Sequence, residues 1–112
     1  MTRTDLEDII ITALEGGIGY WACLDNTGSD FQNAPQEETT SETLARILFE
    51  GKSATFEDAE DPSEKWDMTL AKLRDGIRLY EEKHGTIDMD MLDAEMADCI
   101  FQYGLFGELV YG

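Results

Sequence analysis

The chain has 112 residues, of which 25 are Asp or Glu and only 8 are Lys or Arg, a formal net charge of -17. Apolar residues make up 42% and aromatics 10%, enough for the core of one domain, which argues against disorder along the whole length. Phosphate contacts need clustered Lys and Arg, and anionic lipid repels carboxylates, so direct nucleic-acid binding and membrane docking fit poorly.

No apolar run approaches the roughly 18 residues of a membrane span. The opening Met1-Thr2-Arg3-Thr4-Asp5-Leu6-Glu7-Asp8 is polar and acidic, unlike a secretory signal. The expectation is a cytoplasmic protein forming a single domain over residues 1–112. In that compartment Cys23 and Cys99 read as two buried free thiols.

Taken in order, Thr4-Asp5-Leu6-Glu7 has the spacing of a capping box, and Leu6, Ile9, Ile10, Ala13 and Leu14 follow at helical period. Gly16-Gly17 marks the end of that helix. The dense apolar stretch Gly17–Leu24 reads as extended, residues 25–30 as a turn, and 31–40 as a loop. A second helix is predicted from about Ser41 to Glu50, stopped by Gly51. Ser53–Glu57 alternates as a short strand and leads into the acidic turn Glu57-Asp58-Ala59-Glu60-Asp61. Asp61 then reads as the cap of a third helix with Pro62 at its first position, and Trp66, Leu70, Leu73, Ile77 and Tyr80 along one face. A fourth helix starts near Asp90, with Leu92, Met96, Cys99, Ile100 and Tyr103 as its stripe. Residues 105–112 are too apolar for a free tail and are expected to dock, as a strand beside the Phe56 or the Tyr20 segment. The fold class is α+β, helix-dominated, with about four helices and a small sheet of two or three short strands.

Few residues carry a signature of chemistry. The clusters Asp88, Asp90, Asp93, Glu95 and Asp25, Asn26, Asp30 lack the calcium-loop spacing and read as helix-start and turn residues. Glu15 and Asp98 are the carboxylates set in apolar runs, and both read as partners for backbone N–H groups or for an arginine. His84, the one histidine, sits at a helix end where a cation is favoured. No metal, cofactor or catalytic set is expected. The charge remains to be explained, because solubility needs only about 2 to 8 units. A surplus this large can imitate a phosphate backbone and steer the chain toward cationic proteins.

Two stretches, Thr12-Ala13-Leu14-Glu15-Gly16-Gly17-Ile18-Gly19-Tyr20-Trp21 and the run from Ala97 to Gly112, resemble the two ends of a group of small phage and prophage proteins. The resemblance leaves the middle uncovered and carries no catalytic residues. It implies a phage setting, in the cytoplasm of an infected bacterial host. In size, charge and setting the chain is similar to phage inhibitors of host defence, including anti-CRISPR proteins, many of which occupy the basic nucleic-acid channel of their target.

The expected function is therefore non-enzymatic inhibition of a basic nucleic-acid-binding protein such as a CRISPR effector nuclease. The contact residues expected are Glu57, Asp58, Glu60, Asp61 and Glu64, clustered at one turn, then Asp88, Asp90 and Asp93. The alternative is a binding module in which Gly17, Gly19, Tyr20 and Trp21 hold a nucleotide signal or a peptide. A third reading, a hydrolase of paired carboxylates with a metal, has no supporting ligand spacing.

Overall fold

In a computed structural model describing residues 1–112, the first helix starts two residues earlier than the Thr4 box predicts. Thr2 caps α1 (Arg3–Thr12): its hydroxyl accepts from the Asp5 N–H at 3.1 Å, and the Asp5 carboxylate accepts from the Thr2 N–H at 3.0 Å. Two overlapping boxes compete here, and the upstream one gains an extra half-turn of helix and the Arg3–Glu7 pair at 3.4 Å. The helix ends at Gly17, within the predicted Gly16-Gly17 stop, but its last turn is not α-helical. It widens into a π turn over Ala13–Gly17, with the Ile18 N–H donating to the Ala13 carbonyl at 2.9 Å. Gly17 permits this because a side chain there would meet the Ala94 carbonyl oxygen at 2.8 Å.

Of the stretch expected to be extended, Ile18–Trp21 is a turn and only Ala22–Leu24 is a strand, β1; the short helix α2 (Ser29–Gln32) then takes the end of the expected turn and the start of the expected loop. The helix α3 (Thr40–Phe49) is capped by Thr39 rather than Ser41, again through a reciprocal box, here with Glu42. Ser41 is buried instead. The strand β2 (Ala54–Asp58) follows as expected.

The largest departure comes next. Asp61-Pro62 opens no helix. The Asp61 carboxylate accepts from the Ser63 N–H and hydroxyl at 3.1 and 2.6 Å, closing a turn that returns the chain as the strand β3 (Lys65–Met68). Asp-Pro is turn chemistry as well as helix-start chemistry, and the alternation Lys65-Trp66-Asp67-Met68 decides for a hairpin. Trp66 thus stands on a strand. The helix α4 (Leu70–His84) is capped by Thr69. A 3₁₀ turn (Met89–Met91) precedes α5 (Ala94–Phe106), whose cap is Asp93 rather than a residue near Asp90.

The sheet is antiparallel in the order β1-β2-β3, with Cys23 opposite Glu57, and Phe56 and Glu57 opposite Trp66 and Lys65. The pleat sends Ala22, Leu24, Ala54, Phe56, Trp66 and Met68 to one face, against the helices. The outer face carries Cys23, the Thr55–Asp67 hydrogen bond at 2.8 Å and the Glu57–Lys65 pair at 3.7 Å. Cys23 is therefore exposed and Cys99 half-buried, both free thiols, which corrects the expected burial. Leu6, Ile9, Ile10, Leu44, Leu48, Phe56, Leu73, Ile100 and Phe101 lie in one continuous core. The architecture is α+β, with four helices of ten or more residues and a three-stranded sheet. No helix is long and apolar enough to cross a membrane.

Candidate functional site

Where the end of α1, the hairpin, α5 and the tail meet, aromatic rings collect around a buried carboxylate. Gly107 closes α5 in the left-handed conformation (φ 74°) and turns the chain back. The returning tail pairs with no strand, contrary to expectation. Gln102, 1% exposed on α5, holds it with its side-chain amide. The Gln102 Oε1 accepts from the N–H groups of Val110 and Tyr111, both at 2.8 Å, and its Nε2 donates to the Tyr111 carbonyl at 3.1 Å. One amide side chain does the work of a strand edge. Tyr111 then stacks on Trp21 (4.8 Å between centroids, 10° between planes), with Trp66 and Phe106 packed around the pair.

Asp98 lies beneath this cluster, 8% exposed, one turn before Gln102 on the same helix face. Its partners are neither backbone N–H groups nor an arginine, as the sequence suggests, but three neutral side chains. Oδ1 accepts from the Trp21 indole N–H at 2.8 Å and the Gln102 amide at 2.9 Å, and Oδ2 from the Tyr20 hydroxyl at 2.5 Å. Tyr20 is 57% exposed, yet its phenol oxygen is turned inward. Burial of that oxygen and its bond to Asp98 push the Tyr20 pKa up to about 12. Tyr111 donates to Asp58 Oδ2 at 2.6 Å, and this bond, then burial, pushes its pKa up to about 12 as well. The Asp58 carboxyl is held below its ordinary value by Tyr111 and by the backbone N–H groups of Glu60 and Asp61.

The acidic residues expected to contact a partner fall into two places. Around the hairpin turn, Glu57 is paired with Lys65 and Asp58 with Tyr111, while Glu60, Asp61 and Glu64 are exposed. Elsewhere, Asp88 caps the 3₁₀ turn through the Asp90 N–H at 3.0 Å, Asp93 caps α5 through the Met96 N–H at 2.8 Å, and Asp90 is exposed. Tyr111 feels Asp58, Glu60 and Glu64, whereas Tyr80 feels Asp93 and Glu95 in a separate 190 Å³ cleft with His84 and Cys99. Burial pushes the Cys99 thiol up. His84 lies against the Tyr80 ring at 4.5 Å. The ion pairs of the chain engage Glu7, Asp30, Glu38, Glu50, Glu57, Asp75 and Glu82. Glu60, Asp61, Glu64, Asp88, Asp90 and Asp93 have no cation within reach, and no group of three or more His, Cys, Asp and Glu is placed to hold a metal ion.

Of the residues proposed for a ligand, Gly17 packs against α5 and Trp21 is 2% exposed, a core ring. Gly19 and Tyr20 remain at the surface. Sequence reasoning passes over Gln102 and Tyr111. The one available cue is a glutamine amid the apolar run Cys99-Ile100-Phe101-Gln102-Tyr103. A cleft of about 280 Å³ opens between the turn and the tail, lined by Tyr20, Trp21, Asp58, Glu60, Tyr111 and Gly112. The largest cleft, about 420 Å³, lies between α1 and α4, and Arg74, Arg78, Glu81 and Glu82 balance the charge at its rim. Comparison with family models, curated proteins and solved structures finds no match to this chain.

Proposed function

We propose that the protein is a non-enzymatic inhibitor that presents the β2–β3 turn to a basic groove of a nucleic-acid-binding protein and blocks it. The observation carrying this reading is the cluster of unpaired carboxylates at the β2–β3 turn. Lys65, the one cation of the hairpin, is held by Glu57, and the carboxylates of Glu60, Asp61 and Glu64 crowd a tight turn with no cation paired to them. A compact, uncompensated negative prominence attracts Lys and Arg over a Debye length and opposes phosphate. The resemblance of the chain's ends to phage proteins supplies the setting, and with it the target class: a host defence nuclease such as a CRISPR effector. An anionic nucleotide signal in the cleft beside Tyr20 meets Asp58 and Glu60, so the sequestering alternative is the weaker one.

The double variant Glu60→Lys/Glu64→Lys should weaken blockade of DNA or RNA binding by such a nuclease by tenfold or more. It should also flatten the salt dependence of that blockade. The charge-matched control Asp8→Lys/Glu37→Lys alters exposed positions away from the turn and should leave blockade near its starting value. Equal losses in both variants would reduce the effect to net charge and remove the turn from the mechanism.

A further inference from the structure

We propose that the 280 Å³ cleft between the β2–β3 turn and the tail takes the arginine side chain of a protein partner, its guanidinium against Tyr20 and Tyr111 and facing Glu60. This rests on the reading of the turn as a contact surface and adds the anchoring side chain. Four features point to that occupant. The volume falls just below the roughly 300–1,000 Å³ of small-molecule sites, which suits one long side chain. The walls are aromatic, and aromatic faces attract cations. Those walls are already fixed, Tyr20 by Asp98 and Tyr111 by Asp58 and the Trp21 stack, so little side-chain freedom is lost on binding. The charge is unanswered: both Glu60 carboxylate oxygens are without an internal donor, and Lys65, the cation of the same hairpin, is held by Glu57. A planar guanidinium can stack on a ring and donate to a carboxylate at once, which an ammonium cannot do as well.

The test uses a blocked Gly-Arg-Gly peptide titrated into the labelled protein, followed by the shifts of backbone N–H groups and the Trp21 indole N–H. Gly-norleucine-Gly serves as the uncharged control. Saturable shifts confined to Tyr20, Trp21, Glu60 and Tyr111 are expected from the arginine peptide alone. Glu60→Gln, an exposed change that removes no internal bond, should weaken them about two- to fivefold, the scale of an exposed ion contact. Equal shifts at Asp90 and Asp93 would show a diffuse ion atmosphere and overturn the proposal, as would equal shifts from the norleucine peptide. The two readings separate cleanly. Arginine seating in the cleft of a protein whose Glu60→Lys/Glu64→Lys variant still blocks the nuclease would sink the functional reading and keep this one. Loss of blockade in that variant, with no peptide in the wild-type cleft, would do the reverse.

Discussion

Asp98 is a charge placed in the core without a cation, and its neighbours explain how the fold tolerates it. Stripping a carboxylate of water costs several kcal/mol, while hydrogen bonds to a charged group contribute about 1.5–3 kcal/mol each. Three donors, from Tyr20, Trp21 and Gln102, are therefore of the right size to hold it. The same network ties the tail to pH. Tyr20 and Tyr111 stand at about 12 against an ordinary 10.0, so each contributes stability that is whole below pH 10.0 and is lost as pH rises through about 12. Asp58 is displaced downward from 3.8, so its contribution is whole above that value and is lost as pH falls through the lower folded one. The tail should be most firmly held between these limits. Tryptophan emission, from Trp21 and Trp66 that both pack against Tyr111, should change in an alkaline step and again in an acid step. Tyr111→Phe should delete its share of both. Emission that stays flat through the alkaline range would mean that the Gln102 bonds and the ring stack hold the tail without the two phenols.

Between elements, the tightest contact is the crossing of α4 and α5. A side chain at Gly104 would meet the Lys72 carbonyl oxygen at 2.7 Å, and one at Gly76 would meet the Gly104 nitrogen at 2.8 Å. Backbone atoms cannot swing aside as a side chain can. Gly104→Ala gains about 1 kcal/mol of helix propensity but forces the helices apart, an overpacking that costs about 1–3 kcal/mol. The net loss should lower the melting temperature by about 5 °C, while Gly19→Ala, with open space around it, should leave it unchanged. A Gly104→Ala protein that melts higher than its parent would refute the close crossing. Much of this level is legible in the sequence. Periodic apolar residues mark all four long helices, and Gly51 and Gly85 mark the ends of two of them, whereas the stop at Gly107 lies inside the stretch that reads as a tail. What the sequence hides are choices between equal local signals. Two caps two residues apart begin α1, and Asp61-Pro62 serves a turn as well as a helix. The site is half legible for the same kind of reason. Tyr20, Trp21 and Asp98 stand out locally, whereas Gln102 and Tyr111 acquire their roles only when the tail folds back over α5.

At the scale of the molecule, charge opposes the fold. The radius of gyration is 13.2 Å, and the Debye length falls from about 30 Å at 0.01 M salt to about 10 Å at 0.1 M. In dilute salt almost every carboxylate therefore feels the others. Salt acts in two directions. It weakens surface ion pairs such as Arg78–Glu82 and Lys52–Asp30, worth about 0–1 kcal/mol each, and it screens a net charge of -17. Repulsion should win, because the unpaired acids far outnumber the pairs. The melting temperature should rise across that range by a few degrees, for a gain of about 1 kcal/mol. Binding to a cationic groove should respond oppositely and weaken as salt rises, since the partner's charges supply what screening otherwise provides. A basic partner should thus raise the melting temperature most where the free protein is least stable. Thermal melts with and without the nuclease proposed as its target, at the two salt concentrations, measure both slopes. Slopes of the same sign would show that the surplus carboxylates serve hydration and not association.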